Sequence, residues 1–174
     1  MAVFLQPIYT QTVGAGGVAS ITFNNIPQTY TDLKIVASTR SDYVGTTIQG
    51  GIRINGDSTS DYSYTFLEGT GALTGSNRSS TNYIACLESA ASLSTSNTFG
   101  SNEIYIPNYT SSNYKSVIAD IVAENNGTTT DMYIVAGLWR STSAITSINL
   151  LPGSSANFTQ YTTASLYGIL RQGI

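Results

Sequence analysis

The chain has no histidine. Ser–His–acid triads, Cys–His dyads and most zinc sites go with it, because each needs imidazole as base or ligand. Cys86 is the single cysteine. It sits in the apolar run Tyr83-Ile84-Ala85-Cys86-Leu87 with no activating partner beside it, so a buried, inert thiol is expected. Paired carboxylates are the catalytic device still open, as in glycoside hydrolysis. The candidates are Asp57, Asp61, Glu68, Glu88, Glu103, Asp120 and Glu124. Most fall at predicted turns, where a solvated carboxylate is the ordinary state. Residues 57–61 carry calcium-type donors but lack the calcium-loop spacing and a closing Glu. Asp57 is expected to bond its own backbone in a turn. Gly14-Ala15-Gly16-Gly17 lacks the Lys and the following helix of a phosphate loop. No catalytic residue, cofactor-binding residue or metal ligand is therefore assigned, and an enzyme is not expected.

Binding chemistry is the other option. The 7 Lys and Arg are scattered and form no basic stripe, so nucleic acid is not an expected partner. The 12 Tyr can serve as a sugar-stacking surface or pack on strands, where Tyr is favoured. Charged residues make up 10% of the chain, against about 25% in ordinary domains. Hydroxyls and amides carry the surface instead. No apolar run approaches the roughly 18 residues of a membrane span. Residues 1–9 lack the basic start of a signal peptide, and Gln6-Pro7 cuts their apolar run, so synthesis in the cytoplasm with no classical secretion is expected.

The elements that position these residues are strands. Residues 21–38 organise the pattern: Ile21 and Phe23 alternate with polar residues, Asn24-Asn25 and Pro27 stop the strand, and Leu33, Ile35 and Ala37 resume it. Ile26, Tyr30 and Leu33 plug the end. Further strands are predicted at 48–55, 62–67, 83–87, 102–106, 114–123, 132–139, 145–151 and 165–170, about nine or ten in all. Residues 69–80 read as an exposed Gly-rich loop, and 89–99 as a loop or one helical turn. Asn125-Asn126-Gly127 is the strongest hairpin signal. The expectation is a single antiparallel β-sandwich, jelly-roll-like, over residues 18–174, preceded by an arm and flexible joint at 1–17.

Two strands are apolar on both faces: Val117, Ala119 and Ile121 with Ile118 and Val122, and the segment around Val135. In a two-layer sandwich the outer face should be polar, so an arm or loop, or another subunit, is expected to cover it; the alternative is a strand with a few exposed valines. Val117, Ile121 and Val135 are the candidate subunit-interface residues.

Phe23-Asn24-Asn25-Ile26-Pro27-Gln28-Thr29-Tyr30, Asn55-Gly56-Asp57 with Tyr62, Gly137-Leu138-Trp139-Arg140, Ala144-Ile145-Thr146-Ser147-Ile148 and Leu166-Tyr167-Gly168-Ile169 occur in that order. In order and spacing they resemble a family of small virion structural proteins of tailed phages. Relatives occur as capsid decoration (cement) proteins and as domains of tail fibres. The resemblance implies a β-sandwich, commonly a homotrimer, with no catalysis. It makes Trp139 a core anchor and Gly168 a strand kink. The chain has no fibrous repeat to serve as a shaft, which favours decoration of the outer capsid surface, with the major capsid protein as partner. The alternative is a tail-fibre or receptor-binding protein recognising host glycan. On the decoration reading, Phe4, Leu5, Pro7, Ile8 and Tyr9 are the shell-docking residues of the arm.

Overall fold

The computed structural model describes residues 3–125, 127 and 130–171. Met1, Ala2, Asn126, Thr128, Thr129, Gln172, Gly173 and Ile174 of the segments named above lie outside the described residues. In chain order the strands are β1 (Val3–Thr12), β2 (Ile21–Phe23), β3 (Asp32–Thr39), β4 (Thr47–Ile54), β5 (Tyr62–Gly69), β6 (Thr74–Thr81), β7 (Ile84–Ala90), β8 (Gly100–Ile106), β9 (Lys115–Ala123), β10 (Asp131–Trp139), β11 (Ile148–Leu151) and β12 (Thr163–Arg171). No helix occurs among the described residues. A wide sheet of eight strands runs β1-β12-β3-β8-β9-β10-β5-β6, and a narrow sheet of four runs β2-β11-β4-β7. The β-sandwich expectation holds. The two sheets are unequal, and the strands outnumber the eight of a simple jelly roll.

Period-2 patterning places the core between the sheets. Leu33, Ile35 and Ala37 of β3 are buried while Lys34 and Val36 face out. On β9 and β10 the same rule buries Val117, Ala119, Ile121, Val135 and Trp139. Trp139 is indeed in the core, and its Nε1–H donates to Asp57 Oδ2 at 2.7 Å.

Two strands correct the sequence reading. Residues 3–12, expected as an arm that either docks on a neighbouring protein or adds to its own sheet as a first strand, pair with β12 as the edge strand β1. Pro7 is tolerated because an edge strand has one unpaired side. The register slips between Pro7 and Tyr9, a bulge that absorbs the irregularity. Residues 74–81, expected as a loop, form β6 on the opposite edge, mostly exposed. Neither of its faces is buried, so no hydrophobic alternation marks it.

β7 is buried along its whole length. It borders β4 alone, so its other edge presents backbone groups to the interior. Asn102 of β8 satisfies them at Glu88. The Glu88 N–H donates to Asn102 Oδ1 at 2.6 Å, and Asn102 Nδ2 donates to the Glu88 carbonyl at 3.1 Å. The Thr39 hydroxyl donates to the same carbonyl at 2.9 Å. A Cβ on Gly100 would stand 2.0 Å from that carbonyl oxygen, so the approach requires glycine. Asn102→Leu should leave a buried N–H unpaired and a carbonyl half-satisfied, at about 1–3 kcal/mol per group. Urea denaturation is expected to show a loss of about 2–5 kcal/mol; a loss under about 1 kcal/mol would contradict the bridging role.

Gly168 has a steric role in the packing of Tyr30. A Cβ there would lie 2.3–2.5 Å from the ring atoms of Tyr30, which packs on the core. The glycine makes room for the ring. Gly168→Ala is expected to cost about 1–3 kcal/mol by overpacking. In a Tyr30→Ala background that cost should shrink towards zero. Equal costs in both backgrounds, measured by thermal unfolding, would exclude the steric account.

Candidate functional site

The strands flagged as doubly apolar divide their faces in an unexpected way. Val117, Ile121 and Val135 point inward and are buried in the chain's own core. They are not interface residues, and a charge placed at Val135 would report on folding rather than on assembly. The uncovered face is the other one. Ile118 is 51% exposed, Ile134 49%, Met132 55% and Leu67 61%. The register brings them together: Ile134 stands between Asp120 of β9 and Leu67 of β5, Met132 opposite Val122, and Ala136 opposite Ile118. The result is a continuous apolar surface across β9, β10 and β5. It is held by ladder hydrogen bonds and interrupted in these rows by one charge, Asp120. A face of this kind can bind another macromolecular surface by exclusion of water.

β1 supplies a second surface. Phe4, Leu5, Pro7 and Tyr9 are exposed, and Ile8 at the bulge packs partly on the core. The Tyr9 ring stacks on Phe23 with centroids 6.1 Å apart. The five residues proposed for docking therefore sit on a fixed edge strand. One side of that strand has no neighbour in the sheet, so its free backbone groups can accept another strand.

The carboxylates are dispersed except at one place. Glu103 pairs with Lys34 at 2.8 Å, and Asp61 lies 3.5 Å from Arg140. Asp57 accepts the Thr59 N–H at 2.9 Å as the turn reading expected. Burial pushes its pKa up, but bonds from Thr59 and Trp139 outweigh it and hold the pKa below the usual value.

The exception is Glu88. It is buried on β7 beneath Asp131 of β10 and Glu68 of β5, whose charges both act on it. Its Oε2 has no hydrogen-bond partner among the described residues. Asp131 accepts a hydrogen bond from the Thr47 hydroxyl. Burial first, then the charge of Asp131, push Glu88 up to about 8, with a smaller push from Glu68 and an opposing bond to Thr47. The phenol of Tyr133 is pushed up too, by burial and then by Glu88, Asp131 and Glu68. The group is a buried acid that holds its proton at neutral pH. No metal-holding cluster occurs among the described residues. Cys86 is wholly buried, which pushes its thiol pKa up.

The signal for the apolar face was present in the sequence as strands apolar on both sides, but periodicity alone cannot say which side is out. Glu88 carried a signal too, a lone acid inside the small apolar run Ile84–Ala90. In comparisons with known proteins, no protein-family model and no curated protein matches the chain.

Glu88 gives stability a pH dependence. Between the ordinary glutamate value of 4.5 and about 8 the folded state binds more protons there than the unfolded state does. Its contribution is therefore complete below 4.5 and is lost as pH rises through about 8. Melting temperature is expected to fall from pH 5 to pH 8 and then level off, and Glu88→Gln should flatten that slope. An unchanged slope in the variant would remove Glu88 as its cause.

Proposed function

We propose that the chain is a structural virion protein that decorates the outside of an assembled phage capsid and stabilises the shell as a homotrimer. The observation that carries this reading is the apolar surface of Ile118, Met132, Ile134 and Leu67 on rigid strands. Left in water, such a surface is a liability; buried against a copy of the chain, each large side chain contributes roughly 1.5–3 kcal/mol. Trimer contacts are assigned to this face. Contact with the major capsid protein is assigned to β1, through Phe4, Leu5, Pro7 and Tyr9 and the strand's free edge. The low-charge, hydroxyl-rich surface is in keeping with a life packed on a particle. The ordered resemblance to tailed-phage virion proteins supports the same reading.

The two surfaces separate experimentally. Ile134→Asp lies on an exposed face, so stability should change by under about 0.5 kcal/mol if the variant is compared as a monomer. Sedimentation is expected to show a trimer for the unaltered protein and a monomer for the variant. Phe4→Ser with Leu5→Ser should leave the trimer intact and lower the copy number bound to purified shells. A protein that remains monomeric at micromolar concentration, and that shells do not retain, would overturn the proposal.

A further inference from the structure

We propose that the narrow sheet carries a binding site for an acidic sugar residue, centred on the guanidinium of Arg53. None of its lining residues belongs to the faces proposed for assembly. It is a hollow of about 350 Å³ lined by Gly51 and Arg53 of β4, Leu151 of β11, Tyr83 and the 152–156 connection. That volume lies at the lower end of ligand pockets, roughly 300–1,000 Å³, and suits one sugar ring.

Arg53 is anchored but not spent. Its Nε donates to the Asn82 carbonyl at 3.1 Å, which fixes the plane of the group. No carboxylate stands within ion-pair distance of it among the described residues. Arg40, by contrast, is consumed by the carbonyls of Ser94, Thr95 and Thr98. The terminal nitrogens of Arg53 retain the paired geometry that carboxylates match.

Two serines stand on the same rim in a conformation their side chains disfavour. Ser154 has φ 46° and Ser155 φ 56°. The turn is closed by the Ala156 N–H to the Gly153 carbonyl at 2.9 Å. Positive φ at both central positions is the pattern of a type I′ turn, where Asn and Gly are the preferred residues. Both serines line the hollow, so two hydroxyl-bearing side chains stand beside it at the expense of strain. Leu151, Pro152 and the Tyr83 ring supply apolar wall. Tyr83 comes so close to the strand that a Cβ on Gly51 would lie 2.6 Å from its ring.

A ligand that uses all three features has a carboxylate for Arg53, hydroxyls for the serines and an apolar C–H face for the wall. That is a uronic-acid-type sugar rather than a simple anion, which would leave the hydroxyls and wall unused.

The test is amide NMR of the full chain titrated with methyl β-D-glucuronide, methyl β-D-glucoside and acetate. The glucuronide should shift Gly51, Arg53, Ser154 and Ser155 saturably, and bind at least about tenfold more tightly than the other two. Arg53→Gln should abolish the preference for the acid. Ser154→Gly with Ser155→Gly should raise the melting temperature by relieving the turn while lowering glucuronide affinity. If Arg53→Gln fails to fold, the serine pair decides. Absence of saturable shifts, equal binding of glucuronide and glucoside, or acetate binding as tightly as glucuronide would each overturn the assignment. So would a serine variant that binds unchanged. Shell binding by the same protein is unaffected by any of these outcomes.

Discussion

The bond pair between Asn102 and the backbone of Glu88 is the constraint on which the rest of the sandwich depends. A narrow sheet laid over a wide one must end somewhere inside, and its last strand then turns a row of backbone donors and acceptors into the core. An unmet group there costs as much as a lost hydrogen bond. Asn102 turns its amide oxygen and its amide nitrogen to the N–H and carbonyl of Glu88, so it imitates a short piece of neighbouring strand. Thr39 adds a third bond from β3. The amide can reach only because Gly100 lets the two backbones close up. Three residues of the wide sheet thus allow β7 to be buried on all sides.

Burial of β7 has consequences in both directions. It places Glu88 where its charge is costly, and it couples that acid to Asp131, Glu68 and Tyr133. It also uses the inner faces of β8, β9 and β10, against which β7 packs. The outer faces of the same strands are left to water. Ile118, Met132 and Ile134 are exposed because Val117, Tyr133 and Val135, their neighbours in sequence, pack inside. The core and the exposed apolar face are two sides of one arrangement.

Much of this was legible in the sequence. Alternation located β2, β3, β5, β9 and β10, since each buries one face and period-2 patterning follows directly. The Asp57 turn was legible because its bonds are local, to Thr59. What escaped was whatever depends on long-range partners. β6, with the sequence TGSNRSST, has no buried face and is a strand only because β5 pairs with it. β1 contains Pro7 and a bulge, and its strand character comes from β12, more than 150 positions away along the chain; Thr10 and Ser165, bonded at 2.9 Å, are separated by 155. Val117, Ile121 and Val135 were correctly read as apolar and buried, but the burying agent is the narrow sheet. Gly168 was read as a kink because nothing in sequence links it to Tyr30. Glu88 is visible as a lone acid in an apolar run, but its coupling to Asp131 and Glu68 joins three strands and is not.

Backbone strain is distributed unevenly over this scaffold. Among the described non-glycine residues with positive φ, Asn25, Asn55, Asn97 and Asn108 are of the type that tolerates it best. Asn55 also uses its side chain, donating to the Ala144 carbonyl and accepting from the N–H groups of Thr146 and Ser147. The remaining three are Ser154, Ser155 and Tyr161, all in the connection between β11 and β12. None of these types is favoured there, and Tyr161 is a bulky ring largely exposed to solvent. The connection is nevertheless firmly tied: Phe158 is buried and exchanges backbone bonds with Val18, while Asn157 bonds Asp42. A segment pinned at its centre cannot relax its strained ends by moving away. The strain is therefore a property of the side chains chosen, since glycine or asparagine at 154 and 155 would remove most of it. That avoidable cost sits at the rim of the hollow that Arg53 also lines.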